Sequence, residues 1–197
     1  WSVMERMDGN RILPVVGIIV VVLLLMGVFV MGIYNGEVSR NQNVDAQWSN
    51  VETEYQKRFD LVPQLVNVVK GAANFEQETL TQLSELRTQW QTQTNVNDKI
   101  ETANQFESTL SKLLLVAENY PTLQSNEQFQ TLQIQLEGIE NRISVERKKY
   151  NDTAREYNTY IQVFPNTFFL GGKKAKEYFE SAPGSENAPE VPSDFTN

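Results

Sequence analysis

Charged residues set into otherwise apolar repeats are the ones whose chemistry needs explaining. An apolar repeat is interrupted between Ile143 and Tyr150, where Glu146 and Arg147 take the periodic place. Arg58 stands beside Phe59 in an earlier repeat, and Asn119, Asn141 and Arg142 lie nearby in the pattern. A carboxylate so placed could act as a general acid or base, but that needs a partner group in a cleft. Otherwise it forms an ion pair that fixes helix register. The expected arrangement is the structural one, a pair between Arg58 and Glu146.

Other chemistry is excluded by composition. The 197 residues contain no histidine and no cysteine. Common zinc sites, imidazole-ligated haem and thiol chemistry therefore have no ligands. Ser-His-Asp and Cys-His catalysis is impossible for the same reason, as is a di-iron bundle built on Glu-x-x-His. Gly171-Gly172-Lys173-Lys174 lacks the first glycine and the Ser/Thr of a phosphate loop and reads as a hinge. No cofactor, metal or catalytic residue is expected. A net charge of −8 argues against nucleic acid and against a basic patch for anionic lipid.

The elements that must position the charged residues are helices. Apolar residues recur at steps of three and four. The first stripe runs Val44, Trp48, Val51, Tyr55, Phe59, Val62, Val66, Val69, Ala73, and the second Leu80, Leu83, Leu86, Trp90. The third runs Ile100, Ala103, Phe106, Leu110, Leu113 or Leu114, Ala117. The fourth runs Phe129, Leu132, Leu136, Ile139, Ile143, Tyr150, Ala154, Tyr157, Ile161, Phe164. Breaks are expected at Gly71–Asn74, at Asn95–Asp98 and at Tyr120-Pro121. Ser125 with Gln128 has capping-box form. Pro63 implies a kink with local re-capping. The fold class is all-α: two long and two short helices in an antiparallel four-helix bundle.

Ahead of the bundle, Ile12–Ile33 (ILPVVGIIVVVLLLMGVFVMGI) carries no charge. As a helix it extends roughly 30 Å, the thickness of a bilayer's hydrocarbon core. Val20, Leu24 and Phe29 belong to this anchor, Pro14 falls in its first turn, and Tyr34 follows Ile33 where a ring with a polar tip prefers the headgroup region. A cleaved signal peptide would have a shorter apolar core and small residues after it, which Tyr34-Asn35-Gly36-Glu37 does not supply. A retained single-pass anchor is expected. The sequence opens at Trp1, with Met4 and Met7 as candidate starts. Arg6 and Arg11 precede the span and only Arg40 lies close behind it, which places the main domain outside, the alternative being cytoplasmic. Gly32 and Gly36 have G-x-x-x-G spacing.

Helix lengths carry a further expectation. The short second and third helices cover half of the long pair, so Val44, Trp48, Val51, Tyr150, Tyr157 and Ile161 need another partner, and neighbouring copies in a homo-oligomer would supply it. An even number of helices returns the chain to its starting side, so Phe168, Phe169 and Leu170 form an interfacial foot or pack on the bundle's base. The divisions are residues 1–11, the span 12–33, the bundle 34–170 and an acidic, Pro/Ser-rich flexible tail 171–197.

The ordered motifs resemble the LemA family. They are Tyr34-Asn35, Trp48-Ser49-Asn50-Val51, Arg58-Phe59-Asp60-Leu61-Val62-Pro63-Gln64-Leu65-Val66 and Val69-Lys70-Gly71, then Ala117-Glu118-Asn119-Tyr120-Pro121, Glu140-Asn141-Arg142-Ile143, Val145-Glu146-Arg147, Tyr157-Asn158 and Phe164-Pro165. Lys57-Arg58 replaces paired arginines, and Asn74-Phe75 stands where a histidine is frequent. The resemblance implies a helical bundle on a single bacterial membrane anchor, no established enzyme activity, and links to membrane organisation, magnetosome formation, membrane stress and proteolysis. Its sum with the residues is a non-enzymatic, self-associating membrane scaffold, with the lipid bilayer, further copies of itself and other membrane proteins such as a membrane protease as partners. An adaptor for a membrane protease is the alternative, and an enzyme built on Glu146 and Arg147 the third reading.

Overall fold

A computed structural model describes residues 9–71 and 77–179, with side chains from Pro14 onward. The expected N-terminal segment 1–11, the break at Gly71–Asn74 and the acidic stretch 180–197 lie wholly or mostly outside the described residues. Seven helices are described: α1 (Gly9–Asp60), α2 (Val62–Lys70), α3 (Gln77–Thr92), α4 (Val96–Ala117), α5 (Pro121–Gln124), α6 (Glu127–Gln162) and α7 (Asn166–Leu170). No strand occurs among the described residues, so the all-helical class holds.

Helix ends follow local chemistry. Pro14 sits inside α1 rather than in its first turn, because the helix already begins at Gly9. Its missing N–H removes one bond of the helical ladder. The interruption near Pro63 is real: α1 ends at Asp60 and α2 starts at Val62. The expected re-capping by a side chain is absent, since Leu61 holds the cap position and the join is made by backbone bonds from Leu61 N to Arg58 O and Leu65 N to Leu61 O. Asn95 caps α4 by accepting from Asn97 N at 2.8 Å. For α6 the cap is Asn126, not Ser125. Its Oδ1 accepts from Gln128 N at 2.9 Å and Phe129 N at 3.1 Å, while Ser125 ends α5.

The chain divides into two compact units, Trp1–Asp45 with Thr153–Lys176, and Ala46–Asp152 with Glu177–Asn197. In the second, α2 packs on α3 and α3 on α4. Its core is the predicted set of stripes: Trp48, Val51, Tyr55 and Phe59 from α1, Leu80, Leu83, Leu86 and Trp90 from α3, Ile100, Ala103, Phe106, Leu110 and Leu113 from α4, and Phe129, Leu132, Leu136, Ile143 and Tyr150 from α6. Ile139 is only half-buried, and Phe164 is exposed because α6 stops at Gln162.

One core residue comes from outside the helices. Phe179 stacks on Trp48 (centroids 6.0 Å, 15° between planes) and on Tyr55 (6.1 Å, 18°), and meets Tyr150 edge-on at 5.6 Å. Arg147 covers it, the guanidinium carbon 4.8 Å from the ring centroid. Asn151 fixes the backbone there: Nδ2 donates to Phe179 O and Oδ1 accepts from Phe179 N, both at 2.9 Å. In the first unit Asn158 treats Lys176 the same way, donating to its carbonyl at 2.8 Å and accepting from its N–H at 2.7 Å. The two asparagines are seven residues apart, a spacing that repeats on one helix face.

This strap revises two expectations. Lys173–Phe179, assigned to the flexible tail, is held by both asparagines. Val44, Trp48, Val51, Tyr150, Tyr157 and Ile161, offered as the face that a second copy would cover, are all buried in a single chain. The strap supplies part of that cover, with Phe179 on Trp48 and Tyr150 and Lys176 Nζ 5.5 Å from the centre of Tyr157, and Trp90 of α3 packs on Trp48 beside it. Phe179→Ala should therefore lower unfolding free energy by about 3 kcal/mol and shift tryptophan emission to the red as Trp48 meets water. Asn151→Ala, which leaves the ring but frees the backbone, should lose about half as much. Urea unfolding in mild detergent, followed by circular dichroism and fluorescence, reads both.

Candidate functional site

The apolar run and its edge form one place where the fold meets something outside itself. Every large apolar side chain from Val15 to Phe29 is exposed, including Val20, Leu24 and Phe29. Among the described residues, α1 is the one helix long and apolar enough to cross a membrane. Ile12 lies where side chains are not described. The pattern changes at Ile33, which is buried.

What buries it is a belt of polar contacts within the first unit. Tyr160 Oη donates to the Ile33 carbonyl at 3.0 Å. The Tyr160 side chain passes so close to Gly36 that a Cβ there would collide with its hydroxyl, which is why this position carries glycine. Gly32 has no such neighbour, so the G-x-x-x-G spacing is not used as a pair within the chain. Arg40 lies over the same ring, 3.9 Å from its centroid, and donates to the Gly36 carbonyl at 3.1 Å. Next comes Glu37, buried although charged. Its Oε1 accepts from Tyr157 Oη at 3.3 Å and lies 3.2 Å from Lys173 Nζ. Burial and the Glu37 charge both push the Tyr157 hydroxyl above the ordinary phenol range.

The α7 turn completes this edge. Tyr34 Oη donates to the Phe169 carbonyl at 3.2 Å. Asn166, buried, donates to the Tyr160 carbonyl at 2.9 Å, and the Phe164–Pro165 peptide is cis. Of the expected foot, Phe168 is exposed and Phe169 half-buried, while Leu170 is buried and packs on protein.

A second cluster of ionisable groups lies in the Ala46–Asp152 unit. Arg58, only 6% exposed, contacts two carboxylates through Nη1: Glu107 Oε1 at 2.7 Å and Glu140 Oε2 at 2.5 Å. Tyr55 Oη donates to Glu107 at 3.2 Å, and Arg147 Nη1 lies 3.9 Å from the same oxygen. Lys99 pairs with Glu52 and lies against the Trp90 ring. The expected Arg58–Glu146 pair does not form. Glu146 is taken by Lys149 at 2.7 Å and by Gln47 Nε2 at 2.5 Å, on the rim of the helices, and the Lys149 contact with these bonds holds its carboxyl below the usual range. The missed partner, Glu107, follows Phe106 in the third stripe. A charge next to a core aromatic was a signal that Arg58 and Glu107 share.

Burial decides the electrostatics of this cluster. It raises the Glu107 carboxyl above its ordinary value, with the Glu140 charge acting in the same direction, against Arg58 and Arg147. The Tyr55 hydroxyl is raised too, by burial first and then by Glu107. Arg58 and Arg147 both face Glu107, and no group of three or more metal-capable side chains occurs among the described residues. The arrangement ties α1, α4 and α6 together as a polar clasp.

The clasp has a pH signature. The folded chain keeps the Glu107 proton to higher pH than the unfolded chain, so this group's contribution is full in acid and declines as pH rises through the raised pKa. Stability of the parent relative to Glu107→Gln should be greatest near about pH 4 and fall as pH rises through the raised pKa. Arg58→Met strands two carboxylates and should cost about 3 kcal/mol at neutral pH, partly regained in acid. Urea midpoints across pH check both signs.

Comparison with known proteins agrees with the motif order. The LemA family profile matches residues 47–193. Magnetosome proteins MamQ 1 and MamQ 2 of Paramagnetospirillum magneticum are each 26% identical over 205 aligned residues, covering 88% of this chain and 75% of theirs. Magnetosome protein MamQ of Magnetospirillum gryphiswaldense is 24% identical over 182, covering 78% of this chain and 66% of its own. With the family profile covering most of its length, this chain belongs to the LemA family.

Proposed function

We propose that the chain is a non-enzymatic, single-pass protein of the bacterial inner membrane that self-associates and organises membrane or membrane proteins. The observation that carries this is the surface of α1. From Val15 to Phe29 its large apolar side chains are exposed on all sides, and such a surface is stable in lipid and not in water. From Ile33 onward the same helix is buried on one stripe only, as a water-facing domain requires. The relatives named as magnetosome proteins support placing the role in membrane organisation.

In this reading α1 with α2, α3, α4 and α6 form the antiparallel four-helix bundle, and α5 is a turn within one connection. The clasp around Arg58 sets register and performs no reaction. Self-association uses surface that a single chain leaves open, such as the exposed Leu115 and Val145. The arginine balance around the span supports a main domain outside the cytoplasm, the alternative being the cytoplasmic side.

Because the chain has no cysteine, one introduced thiol is a clean reporter. Ser193→Cys should react with a membrane-impermeant maleimide on spheroplasts, and protection until lysis would put the domain in the cytoplasm. Mass measurement after extraction in native lipid should give a multiple of one chain. A stoichiometric second protein would favour a protease adaptor, and a lone monomer would overturn self-association.

A further inference from the structure

The α7 turn carries apolar surface that the core does not use. Phe164 is 85% exposed and Phe168 80%, with Val163 beside them. Residues on either side are fixed: Asn166 is bonded to the Tyr160 carbonyl, Leu170 is buried, and the Phe169 carbonyl accepts from Tyr34. The two exposed rings are therefore presented on a short, tied-down helix. Phe168 is further braced edge-on by Phe169 at 5.2 Å.

Their depth is set by two bonds. Tyr34 Oη reaches Phe169, and Tyr160 Oη reaches Ile33, the last residue of the apolar run. Both bonds lie within one compact unit, so the turn stands level with the end of the apolar part of α1. Lys173 pairs with Glu37 and Lys176 with Asp45, and the exposed Lys174 stands between them. Aromatic rings at the apolar boundary with polar and charged groups just beyond match the order of a bilayer interface, from acyl chain to headgroup.

We propose that Val163–Phe168 is a second membrane contact, a wedge that inserts Phe164 and Phe168 into the leaflet where α1 leaves the bilayer. It rests on the reading that α1 spans the membrane. Two contacts fix the rotation of this unit about α1, which a single helix cannot do. The wedge also adds volume to one leaflet only, which favours binding to curved membrane.

Nitroxide labels test it in the full chain, reconstituted in phosphatidylethanolamine–phosphatidylglycerol vesicles. Leu24→Cys reports the span, Phe168→Cys and, separately, Phe164→Cys report the wedge, and Ile134→Cys gives an aqueous reference. Each label is compared for collision with oxygen, which concentrates in lipid, and with a nickel chelate, which stays in water. Labels at 24 and at 168 or 164 should both favour oxygen several-fold over the Ile134 site. A lipid signal at 24 with water-like values at 164 and 168 overturns the wedge and keeps the anchor. A water-like signal at 24 overturns the anchor and the wedge with it.

Discussion

An apolar helix surface has to leave water, and the two ways in which α1 does so govern the rest of the molecule. Over Val15–Phe29 every large apolar side chain is exposed, on a helix long and apolar enough to cross a membrane. From Val44 a single stripe is apolar, and other segments of the same chain cover that stripe. The change occurs within a turn or two of Ile33. There the contacts become polar: a tyrosine hydroxyl on a carbonyl, a guanidinium on a ring, a buried carboxylate shared by a tyrosine and a lysine. Buried polar groups demand partners, so this edge has a defined geometry where an apolar one would slide.

The charged clasp around Arg58 obeys the same constraint from the other direction. A guanidinium almost out of water is tolerable only with carboxylates at hydrogen-bond distance, and it has two. Glu107 is worse off, because its burial outweighs the arginines that face it. What the group contributes is a pairing of three helices that apolar stripes alone could satisfy in several registers.

Much of this was legible in the residues. Stripe period gave α3 and α4 and their buried faces nearly residue by residue, and Asn95 marked a helix start through its side-chain oxygen. Arg58 was recognisable as a charge in an apolar setting, but its partner was not. A stripe shows which face of each helix points inward, not which residue stands opposite on another helix, and Glu107 and Glu146 were equivalent on that ground. Ser125 and Asn126 are both good caps, and only backbone geometry separates them. Phe179 was invisible for a different reason. A lone ring after a Gly-Gly pair has no period, and its attachment depends on two asparagines that read as ordinary polar surface of a helix. The expected oligomer face followed in part from that omission, since the strap shares the cover of Trp48, Tyr55 and Tyr150 with Trp90.

The strap also imposes an order of events on biogenesis. A ribosome delivers Trp48 and Tyr55 early and the ring that shields them roughly 130 residues later. Trp90 of α3 reaches the same rings after roughly forty residues, and Phe179 completes their cover only when nearly the whole sequence has been made. Closure is consequently a late, long-range step.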